Sequence, residues 1–150
     1  MDKPGASHKR DSRAFECISW DALGPMKIQS TLSPSYATIF TCGFSGFAWV
    51  YGHTSTADIP MLPQKFLADT VALREKHGPI LWVRRDNASV NVSQGVTALL
   101  LQHGIRSETS KPYEPWQNGR AERMIQTLCS TSRTVLLDSG LGGKFWYLEL

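Results

Sequence analysis

The first third of the chain shows the pattern of hydrophobic and polar residues expected of β-strands separated by short breaks. Three runs rich in aromatic and β-branched residues predict strands: residues 15–20, 36–42 and 47–51. The first run is expected to end at Asp21, because Gly24-Pro25 follows as a break. A glycine-bounded turn at 43–46 separates the other two. These short connections favour an antiparallel meander of three strands.

Beyond residue 60 the hydrophobic spacing changes to that of helices alternating with short strands. Three segments have apolar residues at helical spacing: residues 64–77, 93–103 and 120–140. The run 80–83 (ILWV) is continuously apolar, as is typical of a buried central strand, and 105–108 predicts a fifth strand. A breaker-rich loop at 112–119 precedes the last helix. This order predicts an α/β fold, a five-stranded mixed sheet flanked by helices.

Composition narrows the class of protein only slightly. The 150 residues fit one domain, with 1–14 as a flexible polar lead-in and 15–150 as the core. The apolar stretch 144–148 lies next to the last residue, which suggests a cut near a helix of a longer polyprotein. A net charge of +3 permits a nucleic-acid partner without demanding one. The sequence contains no apolar run of about 18 residues, so no membrane span is predicted.

Three cysteines and four histidines offer little metal chemistry of their own. Cys17, Cys42 and Cys129 are far apart in the sequence and lack a CxxC spacing. They are therefore expected to be reduced, mostly buried thiols. No HxxxH pair is present, so a structural zinc site is not expected.

Three acidic residues fall at the edges of predicted elements. Asp21 follows the first strand, Asp86 follows the run 80–83, and Glu122 lies in the first turn of the last helix. Strand ends and helix starts are rigid platforms, and adjoining loops can admit a substrate. Three carboxylates that converge there would bind two divalent cations, which can activate and stabilise oxygens at a phosphodiester.

Each acidic residue also has a purely structural interpretation. Asp21 before Gly24-Pro25 could be a turn residue, and Asp86 could belong to a turn or cap the next helix. Glu122 near a helix start favours the helix dipole. Taken singly, none of the three identifies a site.

The surrounding motifs resemble the integrase core of Ty1/copia-type retrotransposons, within the retroviral integrase superfamily. The motifs occur in the family's order: FECISWDALGPM (15–26), FSGFAWVY (44–51), Arg85-Asp86-Asn87, SKPYEPWQNGRAER (110–123) and RTVLLDSGLGGKFW (133–146). The fourth motif is the most specific. The 35 residues between Asp86 and Glu122 match the spacing known for this superfamily.

The resemblance implies an RNase H-like fold and a polynucleotidyl transferase that depends on two Mg²⁺ or Mn²⁺ ions. Such enzymes process the 3′ ends of the element's double-stranded DNA and join them to target DNA. By motif, Asp21, Asp86 and Glu122 form the catalytic, metal-binding triad. The resemblance also implies a homo-oligomer, and location in the nucleus or in a cytoplasmic particle.

The loop before the last helix combines the side chains that suit DNA contacts. Cations, amides and aromatic rings together favour phosphate binding and stacking. The expected DNA-binding residues are Lys111, Tyr113, Gln117, Asn118, Arg120 and Arg123. A solvated polar loop is the alternative, and Trp116 could equally cover the core.

Some positions depart from the family pattern and keep other functions open. Gln126 and Cys129 stand where retroviral relatives have lysines, and Ala88-Ser89-Val90 replaces a Gly-Gly-acid run. A decayed, non-catalytic module that binds DNA or protein is therefore one alternative. A hydrolase of RNA–DNA hybrids is another, because a fold does not fix a function.

Overall fold

A five-stranded sheet forms the centre of the protein. The computed structural model describes residues 11–27, 30–32, 34–85, 94–109 and 119–148. The strands are β1 (Cys17–Leu23), β2 (Tyr36–Cys42), β3 (Ala48–His53), β4 (Trp82–Arg85) and β5 (Arg106–Thr109). Their order across the sheet is β3-β2-β1-β4-β5. β1 to β3 pair antiparallel, whereas β4 lies parallel to β1 and to β5, so the predicted mixed sheet is confirmed.

Helices lie between and after the strands. The α-helices are α1 (Leu62–Asp69), α2 (Val71–His77), α3 (Gln94–Gln102) and α4 (Gly119–Ser139). Two 3-10 helices, Thr56–Met61 and Gly143–Leu148, precede α1 and follow α4. Within the described ranges, no helix combines the length and apolar composition that crossing a membrane requires.

The end of β1 and the start of β4 differ from the boundaries predicted for them. β1 continues past Asp21 to Leu23, because β2 supplies pairing partners as far as Leu23↔Ala37. β4 begins at Trp82 instead of residue 80, since the N–H groups of Leu81 and Trp82 both donate to the Glu16 carbonyl. The sheet pairing therefore decides both boundaries.

The predicted helix 64–77 is two helices, α1 and α2, separated at Thr70. The Thr70 hydroxyl donates to the Phe66 carbonyl at 2.7 Å, and the Arg74 guanidinium donates to the Leu67 carbonyl at 2.6 Å. The Phe66 carbonyl also accepts from the Thr70 N–H, so the Thr70 hydroxyl adds a second bond there, whereas the Arg74 side chain supplies a donor to the Leu67 carbonyl at the break.

One face of the sheet holds the hydrophobic core. Ile18 and Trp20 of β1 are fully buried there, together with Phe66 of α1 and Val96 of α3. Burying each such side chain contributes about 1.5–3 kcal/mol. Side chains alternate between the two faces of a strand, so Ser19 and Asp21 belong to the opposite face. That face is covered by α4, which contacts β1 and β2 and adds no residue to the core cluster.

The 3-10 helix after α4 is fastened to β3 through Gly52. The Gly52 N–H donates to the Tyr147 hydroxyl at 2.9 Å. A Cβ at Gly52 would stand 2.6 Å from Cζ of Tyr147 and 3.0 Å from Cβ of Pro34. Only a glycine therefore lets the Tyr147 ring lie directly on the strand.

We expect Gly52→Ala to lower the free energy of unfolding by about 1–3 kcal/mol, because the added methyl group overpacks the Tyr147 contact. Gly95→Ala is the matched control, since a Cβ at Gly95 in α3 meets no atom within 4 Å. Alanine there should be neutral or stabilise by up to about 1 kcal/mol. Urea unfolding measures both changes. Equal stability of the two variants would contradict the Tyr147 contact.

Candidate active site beside the central strands

Asp21 lies on β1, the middle strand of the sheet. It is two residues before the end of that strand, whereas the sequence predicted it directly at the strand end. It pairs with Ile39 of β2 and is half-buried. Its Oδ1 atom accepts a hydrogen bond from the Ala22 N–H at 2.8 Å. β2 pairs with Asp21 itself and β4 pairs with β1 as far as Trp20, so the carboxylate is mounted on a strand whose backbone is held by its neighbours.

Glu122 lies in the first turn of α4, as predicted, and its side chain is exposed. A carboxylate is favourable there because the helix start carries partial positive charge. Since α4 contacts β1 and β2 on the face opposite the core, Asp21 and Glu122 belong to the same side of the sheet. The fold thus brings their two elements together although about a hundred residues separate them in sequence.

The parallel register of β1 and β4 bears on the third acidic residue. The last pair in this register joins Trp20 to Arg85. The residues that follow this pair in the sequence are Asp21 and Asp86. Asp86 lies outside the described residues, so its place in a triad stays a prediction. Among the residues that are described, no three His, Cys, Asp or Glu side chains form a group that could hold a metal ion.

Arg85 is a feature of the site that sequence reasoning missed. It is the last residue of β4 and is 3% exposed. It lies on the core face of the sheet, beside its pairing partner Trp20. Burial lowers the pKa of the Arg85 guanidinium, and its Nη2 atom lies 3.4 Å from the Thr97 hydroxyl of α3. The alternation Val83-Arg84-Arg85 could have revealed it, because Arg85 has the inward position of Val83.

Arg84 points to the opposite face and pairs with Glu108 at 3.2 Å. The two neighbouring arginines therefore differ in environment, one buried beside α3 and one partly exposed in an ion pair across β4 and β5. An exposed pair of this kind contributes little to stability, at most about 1 kcal/mol.

The expected DNA-binding residues divide into two groups. Lys111, Tyr113, Gln117 and Asn118 lie outside the described residues, as does Trp116. Arg120 is the second residue of α4, and Arg123 is exposed on the first turns of the same helix. Among the expected DNA-binding residues whose side chains are described, Arg123 is therefore the accessible cation, and it directly follows Glu122 in the sequence.

The helix that carries Glu122 is lightly packed. Ser132, which is 5% exposed, is the single buried side chain among those described in α4; Leu128 and Leu136 beside it are half-buried and Val135 is exposed. A cavity of about 240 Å³ remains between α4, Met26, which lies three residues after β1, and Trp146 of the 3-10 helix. Cys129 lines this cavity and is partly accessible.

Known proteins resemble this chain in sequence and in fold. No protein-family model matches the chain. The chain is 31% identical over 140 residues to the retrovirus-related Pol polyprotein from transposon TNT 1-94 of Nicotiana tabacum. This match covers 93% of the chain and 10% of the polyprotein, so the chain spans about a tenth of that relative's length.

A solved relative shares the fold. It is a chain of the simian T-cell lymphotropic virus intasome, determined in complex with the PP2A regulatory subunit B56 gamma. The TM-score is 0.68 at 16% identity, and the match covers 94% of this chain and 49% of that chain. The fold is therefore the RNase H-like fold of retroviral integrases. With the polyprotein match, the resemblance to the integrase region of retrotransposon polyproteins is confirmed.

Thiol labelling tests the packing on both faces of the sheet. Cys17 and Cys42 are 2% and 1% exposed, whereas Cys129 is half-buried on α4. We expect one of the three thiols to react rapidly with Ellman's reagent in the native protein and all three in urea. Cys129→Ser should remove the rapid phase. A rapid phase that survives in this variant would contradict the packing described for β1 and β2.

Proposed function

We propose that the chain is the catalytic core of a metal-dependent polynucleotidyl transferase. It would process the 3′ ends of a retrotransposon's DNA and join them to target DNA, with Asp21, Asp86 and Glu122 as its carboxylates. The proposal rests mainly on one observation. Asp21 lies on the central strand of the sheet, and Glu122 lies at the start of α4, the helix that covers the face of the sheet to which Asp21 belongs.

The β1–β4 register supports the third carboxylate. A parallel pair continued by one position beyond Trp20↔Arg85 would bring the backbone of Asp86 beside that of Asp21. Arg85 is anchored beside α3 and directly precedes Asp86, so it would restrain the backbone that leads into Asp86. The triad would then draw on two rigid strands and one helix start.

The donor set fits Mg²⁺ or Mn²⁺. Carboxylate oxygens are the hard ligands that these ions prefer, and Asp21 and Glu122 would supply them from a paired strand and from the start of a helix. A bound pair of ions would lower the pKa of an attacking water and neutralise charge that develops at the phosphodiester. Asp21, Asp86 and Glu122 would hold this pair.

The chain's other residues would bind and orient DNA. Arg123 presents an exposed cation one residue from Glu122, where it can contact a phosphate next to the reacting one. Further residues that precede Arg123 would extend this contact along the DNA strand: Lys111, Tyr113, Gln117, Asn118 and Arg120. Holding the 3′ end and the target phosphate together supplies much of the rate, because orientation removes an entropic barrier.

Partners and location follow as part of the same proposal. The substrates would be double-stranded element ends and target DNA, bound by a homo-oligomer in the nucleus or in a cytoplasmic particle. The chain spans about a tenth of the polyprotein relative, and complete integration would require the longer protein.

Removing any one carboxylate tests the catalytic role. Asp21→Asn, Asp86→Asn and Glu122→Gln should each lower strand transfer on a branched or nicked DNA substrate at least a hundredfold. The reason is that each would remove a metal ligand, and a hundredfold loss corresponds to about 2.7 kcal/mol of transition-state stabilisation. Initial rates with Mg²⁺ and with Mn²⁺ provide the measurement.

Matched controls come from acids that the proposal leaves out of the site. Asp138 lies near the far end of α4, and Asp69 forms an exposed ion pair with Lys65 on α1. Asp138→Asn and Asp69→Asn should retain activity within about twofold. Full activity of Asp86→Asn would end the catalytic proposal, as would faster cleavage of RNA–DNA hybrid than of duplex DNA.

Arg123 provides a separate test of DNA binding. Arg123→Gln should weaken duplex binding for all sequences alike and reduce the slope of log K against log salt by about 1, because one phosphate contact is lost. Arg133→Gln, ten residues along the same helix, is the control. Fluorescence anisotropy at several salt concentrations measures the slope. An unchanged slope for Arg123→Gln, or an equal change for Arg133→Gln, would contradict this assignment.

A further inference from the structure

A large cavity lies at the end of β1 remote from Asp21. The turn between β2 and β3, the last turn of α2 and residues 12–15 form its walls. Its volume is about 820 Å³, within the roughly 300–1,000 Å³ typical of small-molecule sites. Phe15, just before β1, lines it, whereas Asp21 lies six residues further along the chain. The cavity is therefore separate from the candidate active site.

Four large aromatic side chains line the cavity: Phe15, Phe44, Phe47 and Trp49. Trp49 contacts both Phe15 and Phe47, with ring centroids 5.4 Å apart for Phe15–Trp49 and 4.8 Å for Phe47–Trp49. Phe44 and Phe47 at the mouth are 57% and 61% exposed. Large apolar side chains grouped at the surface in this way mark interaction sites. Such a wall suits a flat aromatic ring system, which can stack or lie edge-on among the rings.

A fixed cation stands at the cavity wall. Arg13 lines the cavity, and its guanidinium donates to the carbonyls of Pro79 at 2.7 Å and His77 at 3.3 Å. A Cβ at Gly78 would stand 2.8 Å from Nη1 of Arg13, so a glycine at this position makes room for the guanidinium. These contacts fix the charge in place before any ligand arrives, which lowers the entropic cost of binding an anion.

The charge in the cavity has one sign. None of the lining residues, all of which lie within the described ranges, is a carboxylate. Asp11 and Glu16 flank residues 12–15 in the sequence without lining the cavity, and the Glu16 carboxylate accepts hydrogen bonds from the backbone and hydroxyl of Ser12. His77, whose ring stacks on Phe15, adds an imidazole to the same wall. The cavity thus complements an aromatic body that carries a negative charge.

We propose that this cavity is a binding site for a small aromatic anion, with its rings among Phe15, Phe47 and Trp49 and its charge facing Arg13. The proposal is independent of the catalytic role of Asp21, Asp86 and Glu122.

Two related probes separate the aromatic contribution from the charge. The first is 1-anilinonaphthalene-8-sulfonate, and the second is N-phenyl-1-naphthylamine, which has the same rings without the sulfonate. The native protein should bind one equivalent of the sulfonate at least fivefold more tightly than the neutral amine. Leu73→Ser, on the cavity wall, should weaken both at least fivefold. Arg13→Gln should remove the difference between the probes, and Arg13→Lys should retain most of it.

Leu137→Ser is the matched control, because Leu137 is 78% exposed on α4, away from the cavity. It should bind both probes as the parent does, and circular dichroism verifies that each variant is folded. Equal affinity of the parent for the two probes would overturn the proposal, as would similar losses in Leu73→Ser and Leu137→Ser. Sedimentation velocity adds a third outcome. A dimer that dissociates in Phe47→Ser would show that a second copy occupies the cavity and would also overturn it.

Discussion

The placement of β1 at the centre of the sheet is the constraint on which the rest of the structure depends. β1 pairs antiparallel with β2 and parallel with β4, so its backbone hydrogen bonds are satisfied on both sides. Its inward side chains, Ile18 and Trp20, are completely buried in the core. Because successive side chains alternate, that burial forces Asp21 onto the opposite face, where α4 lies. A shift of one residue in register would place a carboxylate in the core and Trp20 under α4.

The two sides of the sheet differ in how firmly they are packed. The core face is filled by aromatic and aliphatic side chains from β1, β2, α1 and α3. The α4 face buries little of its helix, with Ser132 the single buried side chain described there. A firmly held aspartate thus faces a helix with few buried contacts. Elements with few buried contacts open at lower free-energy cost. Under the proposed function, this would let α4 move aside for DNA.

Sequence reasoning recovered the order and type of every strand, because residue type and breakers such as Gly24 are local signals. It missed what depends on pairing: β1 extends through Asp21 because β2 offers partners, and β4 starts late because Glu16 accepts two N–H groups. The interruption at Thr70 is accompanied by the bond from the Arg74 side chain to the Leu67 carbonyl, which hydrophobic periodicity does not encode. Glu122 was located correctly, since helix starts have local signals, whereas the buried position of Arg85 emerges only from the sheet.

The central claim is that residues distant in the chain share divalent ions on the α4 side of β1. The most direct measurement is a crystal structure of the protein soaked in Mn²⁺, with the ions located by anomalous scattering. The account predicts manganese bound by carboxylate oxygens of Asp21, Asp86 and Glu122, two ions being roughly 3.5–4 Å apart when DNA is present. Manganese elsewhere, with none at Asp21 and with Glu122 more than about 10–12 Å from it in the presence of DNA, would contradict the account, because a two-ion site spans only a few ångströms.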